Sequence, residues 1–420
     1  MPSRTTLALA TALSLTAVTS LGATSTEAAS HTNSATPIIR TAAPNPALAK
    51  ALNGAASSQY LRGKLSGYVT DISTNTRIWN HNAATKRLPA STQKLITALT
   101  VLDAIPNGTQ LITTTTQSTA KPTNIYLKGA GDPTLTSERL TTLAQRTATA
   151  LKNKKHTSIN LYVDSSAFPA PTNASGWKTS YVPAEVQPVR GLTLYGYKGA
   201  DNDLAAGRAL SKALTANGIT VKTLSRATAP AASQQLSASW SASTSTMVAT
   251  MLRTSNNTYA EYLLRHAAAT RGMVPTWDAA TANAHKSLTK YRINTTGLTI
   301  KDGSGLSRGT RMPVATLTGT IRTLHRTPSM NTVAFDISAM PRAGSTGTLA
   351  NRFTIPSQRC ARNAVIAKTG TLGDVVSLAG IAKARSGRTY AFAFLVNNVT
   401  NIGATRIAID QAATTLVGCK

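Results

Sequence analysis

Two short strands near the start of the chain constrain the fold more than any other feature of the sequence. The stretch SGYVTDISTNTRIWNHNA predicts one strand over Tyr68–Ile72 and a second over Arg77–Asn80, joined by a Ser-Thr-Asn-Thr turn. Two strands of this length do not form a stable sheet by themselves. Residues 365–399 predict an antiparallel meander that supplies the missing partners. We therefore expect the two ends of the chain to meet in one sheet.

The middle of the chain has a different pattern of predicted strands and helices from both ends. From about residue 108 to 235, stretches that predict strands alternate with the helical stretch SERLTTLAQRTATALKN, as in an α/β unit with its own small core. Helical spacing follows, and a last helix is predicted around RIAIDQAATTLVG. The predicted fold class is α/β (α+β). An antiparallel sheet flanked by helices is built from residues 45–107 and 236–420, and it carries an inserted smaller domain at 108–235.

The N-terminus carries an export pattern. Arg4 precedes an apolar run that ends in small residues, which predicts a signal peptide over residues 1–29 with cleavage after Ala29 or Ala23. The run is short for a bilayer span and contains several Thr and Ser residues, so a membrane anchor is disfavoured. Residues 30–44 are polar and contain Pro, which predicts a flexible lead-in. We expect the mature protein to be secreted.

The charge of the chain favours anionic partners. Lys and Arg number 44 against 15 Asp and Glu, a formal net charge of +29. Such a field attracts nucleic acid, acidic lipid or anionic wall polymers. The sequence has no zinc-finger spacing, no RNP-like aromatic run and no long basic arm, so nucleic acid is not an expected partner. The six histidines are dispersed and show no metal-ligand spacing, so we expect no metal ion and no cofactor.

The two cysteines of the chain are Cys360 and Cys419. In an exported protein an isolated pair often forms one disulfide, which here would join the last helix to the region before Lys368. Whether it forms depends on the distance between the two Cα atoms.

The stretch PASTQKLIT at residues 89–97 has two interpretations. Ser91 stands at the start of an apolar helix and Lys94 follows three positions later. Ser91 either caps the helix beside a solvated lysine, or it is a nucleophile with Lys94 as its base, since residues i and i+3 share a helix face. A lysine acts as a base only if burial or a neighbouring cation lowers its pKa.

Two further motifs favour the catalytic interpretation. Ser255-Asn256-Asn257 lies between two helical stretches, and Lys368-Thr369-Gly370-Thr371 lies at the end of a strand. Each motif is weak alone, but the three together, in this order and in these settings, are specific. Lys368 is a candidate for the cation that lowers the pKa of Lys94.

The motifs predict roles for their residues. A helix N-terminus favours negative charge near Ser91, and the backbone N–H groups of Ser91 and Thr371 are the expected oxyanion hole. Ser255 is expected to relay a proton to the leaving amine, and Asn257 to hold a substrate amide.

The lysine motif also predicts how the substrate binds. The Lys368 ammonium and the hydroxyls of Thr369 and Thr371, with Gly370 between them, predict a pocket for a carboxylate. Together the motifs predict acyl transfer on a substrate that has a free terminal carboxylate.

The set Ser91-x-x-Lys94, Ser255-x-Asn257 and Lys368-Thr369-Gly370 resembles the penicillin-recognising serine acyl enzymes. Further stretches resemble one branch of them, the D-alanyl-D-alanine carboxypeptidase/endopeptidase family of low-molecular-mass class C penicillin-binding proteins (peptidase family S13). They are YLKGAGDPTL at 126–135, LYVDSSAF at 161–168, KDGSGLSR at 301–308 and AGSTGTLANRF at 343–353.

The resemblance implies a serine-type D-Ala-D-Ala carboxypeptidase that acts outside the cytoplasm, in association with the cell wall. Its implied substrates are peptidoglycan stem peptides, with endopeptidase cleavage of cross-links as a second reaction. It also implies covalent acylation of Ser91 by β-lactam antibiotics. The net charge of +29 adds an expected contact with anionic cell-wall polymers or a membrane surface.

Two alternatives share these motifs. A β-lactamase needs an efficient deacylating base, but Glu138 and Glu185 lack the Glu-x-x-x-Asn context of class A enzymes. A catalytically silent wall-binding or sensor protein on the same fold does not need the complete set of catalytic residues that is present here. Outside the motifs, Asp302-Gly303-Ser304-Gly305 predicts a tight turn.

Overall fold

The computed structural model describes residues 45–419 of the 420-residue chain. The predicted signal peptide at 1–29 and the predicted lead-in at 30–44 lie outside the described residues. Within residues 45–419, no helix combines the length and apolar character that crossing a bilayer requires.

The described part of the chain alternates between helices and strands. Its helices are α1 (Pro46–Ala56), α2 (Lys94–Ala104), α3 (Ser137–Asn153), α4 (Tyr181–Ala184), α5 (Asn202–Ala216), α6 (Thr244–Thr254), α7 (Asn257–Ala269), α8 (Trp277–Lys290), α9 (Val314–Arg326), α10 (Pro328–Ala334) and α11 (Ile402–Val417). Its strands are β1 (Leu65–Asp71), β2 (Arg77–His81), β3 (Ile112–Ser118), β4 (Asn124–Lys128), β5 (Ser158–Asp164), β6 (Thr220–Arg226), β7 (Ser233–Trp240), β8 (Val365–Leu372), β9 (Val375–Lys383) and β10 (Thr389–Asn397). Short 3-10 turns cover Ala90–Gln93, Gly347–Leu349 and Pro356–Ala361.

The first sheet joins the two ends of the chain, as the short N-terminal strands predict. Its order is β2-β1-β10-β9-β8, and every neighbouring pair is antiparallel. The register of β1 on β10 runs from Leu65 opposite Val396 to Asp71 opposite Tyr390. The predicted fold class is therefore confirmed: an antiparallel sheet flanked by helices, in a mixed α/β chain.

Helices cover both faces of this sheet. In β10 the even-numbered residues from Tyr390 to Val396 pack with α1 and α11, and the odd-numbered residues from Ala391 to Leu395 pack with α2 and α6–α10. A strand that is buried on both faces has no polar side to expose, which explains the uninterrupted apolar run in TYAFAFLV. The sheet is thus a rigid central layer to which active-site segments can be attached.

A second five-stranded sheet occupies the middle of the chain, in the order β6-β5-β4-β3-β7. β4, β5 and β6 are parallel, whereas β3 is antiparallel to both β4 and β7. Its apolar core lies against α3 and α5. Because β7 pairs with β3 as far as Ile112 opposite Trp240, it crosses the predicted boundary at 235/236. We propose that the inserted domain ends at Trp240.

Two predicted helix limits differ from the structure. The stretch NPALAKALNG at residues 45–54 predicts a first helix that Gly54 ends, but α1 continues to Ala56. A glycine ends a helix by taking a left-handed conformation, and Gly54 is not among the glycines with positive φ. The predicted helix at Ser91 begins as the 3-10 turn, and regular α-helix starts only at Lys94.

The two cysteines form a disulfide, as their isolation as a pair suggests. Cys360 lies in the 3-10 turn Pro356–Ala361 and Cys419 follows α11, with 6.1 Å between their Cα atoms. The bridge closes a separation of 59 residues that contains β8, β9, β10 and α11. The disulfide therefore ties the end of α11 to the segment that precedes β8.

We expect a Cys360→Ser/Cys419→Ser double variant to unfold at lower urea concentration, with a loss of about 2–4 kcal/mol, because opening this loop increases the entropy of the unfolded chain. The measurement is urea denaturation followed by circular dichroism. Reduced wild-type protein should match the double variant, and the double variant should not respond to reductant. Equal stability of oxidised wild type and double variant would contradict a stabilising role for the bridge.

Candidate active site

The segment that carries Ser91 is fastened to the first sheet on two sides. The Asn397 side chain at the end of β10 accepts from Leu88 N at 2.8 Å and donates to Leu88 O at 3.1 Å. The Ser377 hydroxyl of β9 donates to Pro89 O at 2.7 Å. These hydrogen bonds set the position of the 3-10 turn before α2 begins, so the location of Ser91 depends on strands that come about 290 to 310 positions later in the chain.

Lys94 lies at the centre of the site. Its side chain is fully buried, and its Nζ lies 2.9 Å from Ser91 Oγ, 2.7 Å from Asn257 Oδ1 and 2.8 Å from Ser304 O. The solvated-charge interpretation of Lys94 is therefore wrong. Two of the three partners, the amide oxygen and the carbonyl, only accept hydrogen bonds. A neutral amine can donate to these two and still accept the hydroxyl proton of Ser91.

The surroundings of Lys94 favour this neutral form. Burial lowers its pKa to about 7, although the carboxylates of Glu261 and Asp302 act in the opposite direction. Loss of hydration disfavours the charged form of an amine, which is the direction that a base requires. Burial is thus the main cause of the lowered pKa, rather than the neighbouring cation that the sequence suggested.

Residues 255–257 form the junction between α6 and α7. Ser255 ends α6 in the left-handed conformation, with φ of +61°, and Asn256 caps α7 by accepting from Tyr259 N at 2.9 Å. This reversal places Asn257 at the start of α7, where its Nδ2 donates to Glu185 O at 3.1 Å while its Oδ1 accepts from Lys94. Both polar ends of Asn257 are therefore engaged, whereas Ser255 is not among the hydrogen-bond partners of Lys94.

The tight turn predicted at residues 302–305 is present and contributes Ser304 O to Lys94. Glu261 of α7 holds the turn by accepting from Gly303 N at 2.8 Å and from Ser304 N at 2.7 Å. Gly305 has φ of +82°, and a Cβ there would overlap the carbonyl of Ala90. The turn therefore has to carry glycine where it passes the Ser91 segment.

Two buried carboxyl groups, those of Glu261 and Asp302, hold this turn through hydrogen bonds to its backbone. Asp302 accepts from Ser307 N at 2.7 Å and from Trp177 Nε1 at 2.8 Å. Burial and the nearby Asp302 raise the pKa of Glu261 to about 8, and burial also raises the pKa of Asp302. The sequence motifs predict no site role for Ser304 or Glu261. A signal was available, because Glu261 is the one acidic residue in the helical stretch TYAEYLLRHAAA.

Lys368 is also fully buried, and its Nζ donates to Thr369 O at 2.8 Å. Burial, and then the charge of Lys94, lower the pKa of Lys368 well below its usual value. The structure thus brings the Lys94 amine close enough for its charge to act on Lys368. It also turns the Lys368 amine toward its own strand, which is a weaker arrangement for a carboxylate pocket than the sequence predicts.

The edge strand β8 presents backbone groups to the site. Lys383 N donates to Ala364 O at 2.9 Å, so in the antiparallel register of β8 on β9 it is Lys368 and Gly370 that form hydrogen-bonded pairs. The intervening residues Thr369 and Thr371 direct their N–H and C=O groups away from β9. The Thr371 N–H therefore points to the side on which the oxyanion hole is expected.

Only part of this outer edge is covered by other backbone in the described region. Ala367 N donates to Pro341 O at 2.9 Å, and Ala343 N donates to Val365 O at 2.9 Å. These contacts cover the first half of β8. The second half, which contains Thr369 and Thr371, borders a cavity instead.

That cavity has a volume of about 850 Å³ and brings together the residues of all three motifs. The motif residues in its wall are Ser91, Ser255, Asn257, Thr369, Gly370 and Thr371. Lys178 and Glu185 line one part of it, and Arg352, Arg406 and Asp410 line another. Lys94 and Lys368 lie behind the wall, buried beneath it.

The fold is that of serine penicillin-binding proteins. The structure matches penicillin-binding protein 4 from Haemophilus influenzae with a TM-score of 0.75 and 20% sequence identity, over 87% of this chain and 98% of that one.

Sequence comparison gives a narrower assignment. The model of the D-Ala-D-Ala carboxypeptidase 3 (S13) family matches residues 48–194 and 182–416, and the chain belongs to this family. It is 29% identical to a carboxypeptidase of Mycobacterium tuberculosis, over 85% of this chain and 81% of that protein. It is 28% identical to carboxypeptidase DacB of Mycolicibacterium smegmatis, over 90% and 86% of the two chains. The resemblance in the sequence and the predicted class, a serine-type D-Ala-D-Ala carboxypeptidase, are confirmed.

Gly370 allows β8 to pass close to Ser91. A Cβ at this position would overlap Ser377 Oγ and lie 2.9 Å from both Pro89 O and Ser91 N. We expect Gly370→Ala to lower the free energy of unfolding by about 1–3 kcal/mol and to displace Ser91, because both backbone atoms belong to the segment that carries Ser91.

The measurements for Gly370→Ala are urea denaturation and the rate of labelling by fluorescent penicillin. The matched control is Gly373→Ala, just beyond the same strand, where an added Cβ meets nothing within 4 Å. The control should remain within about 0.5 kcal/mol of wild type. Equal behaviour of the two variants would show that the close approach does not matter.

Proposed function

We propose that this protein is a secreted D-Ala-D-Ala carboxypeptidase that cleaves peptidoglycan stem peptides through an acyl-enzyme on Ser91. The observation that carries the proposal is the 2.9 Å contact between Ser91 Oγ and the fully buried Nζ of Lys94. A serine hydroxyl becomes a nucleophile when a base is within hydrogen-bonding distance, and a base of pKa near the working pH is the most effective.

Acylation begins with transfer of the Ser91 hydroxyl proton to the neutral Lys94 amine. Ser91 Oγ attacks the carbonyl carbon of the penultimate D-Ala, and the carbonyl oxygen becomes an oxyanion. The backbone N–H groups of Ser91 and Thr371 stabilise that charge. Two features support this role: the Thr371 N–H points away from β9, and Gly370 permits β8 to approach Ser91 N.

Collapse of the tetrahedral intermediate breaks the C–N bond. The proton held by Lys94 moves to the leaving nitrogen, with Ser255 as the proposed relay, so that the terminal D-Ala departs as a neutral amine. Water then attacks the ester on Ser91, with Lys94 again accepting a proton, and releases the shortened stem peptide. No metal ion or cofactor has a role in this sequence of steps.

Asn257 contributes first by fixing Lys94. Its Oδ1 accepts a hydrogen bond from the Lys94 amine, and its Nδ2 donates one to Glu185 O. These two contacts fix the base relative to α7. The role predicted for Asn257 in holding a substrate amide requires that the substrate replace Glu185 O. The exposed edge of β8 at Thr369–Thr371 supplies the other backbone contacts, as an extended peptide adds to a sheet edge.

Acylation should follow the protonation state of Lys94. We expect the rate of acylation by benzylpenicillin to rise with pH and to level off above an apparent pKa of about 7, because the neutral form of Lys94 is the base. Lys94→Ala should reduce the rate by about 10²–10⁴-fold and remove this titration. A rate that falls as pH rises through this range, or normal labelling of Lys94→Ala, would rule out Lys94 as the base.

Defined muropeptides test the reaction itself. We expect purified protein to remove one D-Ala from monomeric pentapeptide stems, detected by mass spectrometry, and Ser91→Ala to remove none. Cleavage of cross-linked dimers in the same digest measures the endopeptidase activity that is proposed as a second reaction.

Two outcomes would support the alternatives instead. Rapid hydrolysis of a chromogenic cephalosporin, without release of D-Ala, would indicate a β-lactamase. A wild-type protein that neither cleaves peptides nor accepts fluorescent penicillin would indicate a silent wall-binding protein.

The site of action is proposed to be outside the cytoplasm, at the cell wall. The export pattern of residues 1–29 and family membership support this location. The formal net charge of +29 supports an additional contact with anionic wall polymers or a membrane surface, which should weaken as salt screens the charges.

A further inference from the structure

The motif residues do not offer a well-placed positive charge to the substrate carboxylate. Lys368 is the cation predicted for this purpose, but its amine is fully buried and donates to Thr369 O. We propose that Arg406 of α11 binds the terminal carboxylate of the substrate, beside Thr371. This inference rests on the proposed carboxypeptidase function and identifies a specificity-determining residue of the same site.

Arg406 is held next to the predicted carboxylate pocket. It is an exposed residue in the cavity wall, and its Nη2 donates to Thr371 Oγ1 at 3.0 Å. Because the Thr371 oxygen accepts this hydrogen bond, the hydroxyl hydrogen of Thr371 is available to a second acceptor. A carboxylate in the cavity can therefore receive the Thr371 hydroxyl and an Arg406 N–H together.

The neighbouring charges leave Arg406 available for an anion. Asp410, one turn further along α11, is bound by Arg352 through Nε to Oδ2 at 3.0 Å and Nη2 to Oδ1 at 2.5 Å. Arg352 and Asp410 are both largely buried, so their charges neutralise each other inside the wall. Among residues 45–419, no carboxylate lies within 4.0 Å of the Arg406 guanidinium.

The guanidinium of Arg406 is suited to binding a carboxylate. A guanidinium remains charged at any physiological pH and presents N–H groups in a planar fork that matches a carboxylate. Burial and the charge of Arg352 lower the pKa of Arg406, but the ordinary pKa of a guanidinium is so high that the side chain keeps its charge. Arg406 can thus attract a free C-terminal carboxylate, whereas a neutral C-terminus gains nothing from it.

The test compares two peptides that differ only at the C-terminus: an acylated Lys-D-Ala-D-Ala with a free carboxylate and the same peptide as its C-terminal amide. We expect Arg406→Gln to lower kcat/KM for the free acid by about 10- to 100-fold, while the amide changes by less than about 3-fold. Arg406→Lys should restore part of the loss. The matched control is Arg385→Gln, which removes the same charge from the exposed turn between β9 and β10.

Acylation by benzylpenicillin and by its methyl ester provides a second measurement that does not depend on peptide cleavage. Arg406→Gln should slow reaction with the acid and leave the ester unaffected. An equal loss with acid and neutral compounds would mean that Arg406 only supports Thr371, and no loss with either would mean that it has no role. Either result overturns the inference. A wild-type protein that is acylated but releases no D-Ala would refute the proposed carboxypeptidase function while the penicillin comparison still decides the role of Arg406.

Discussion

The Lys94 amine joins three segments of the chain that are far apart in sequence, and the geometry of the site depends on this junction. Its partners are Ser91 Oγ on the same turn, Asn257 Oδ1 at the start of α7, and Ser304 O in the turn after residue 301. Removing an amine from water costs several kcal/mol unless hydrogen bonds replace its hydration. The protein satisfies every polar position of this buried amine, and the remaining cost appears as a pKa lowered to about 7. The property that would make Lys94 a base is therefore a direct result of its burial.

A second set of side chains holds the segments of this junction in place. Glu261 holds the backbone of the 302–305 turn, and Asn397 and Ser377 hold the segment before Ser91. None of these three side chains lines the cavity, yet each determines where a cavity-lining atom lies. The central sheet, which is buried on both faces, makes these positions reproducible because its strands cannot shift without opening a close-packed core.

The motifs predicted six of the residues that meet in the cavity wall, because their local settings can be read from the sequence. A helical turn at Ser91, a junction between helices at Ser255 and a strand through Lys368 are all local features. Arg406 and Ser304 were missed for the opposite reason. A lone arginine on a helix has no local signature, and Ser304 takes part through its backbone carbonyl, which any residue type provides. The extent of the edge strand β7 depended likewise on its partner β3 elsewhere in the chain.

The sequence by itself determined the family, the export pattern, the closing of one sheet by both ends of the chain, and the identity of the motif residues. These follow from residue types at fixed spacings and from alternation along single strands. Only the tertiary structure decided that Lys94 is buried rather than solvated, that Lys368 turns toward Thr369, and that Arg406 stands beside Thr371. Burial and the distance between charges are properties of packed segments, and they arise only when residues hundreds of positions apart are brought together.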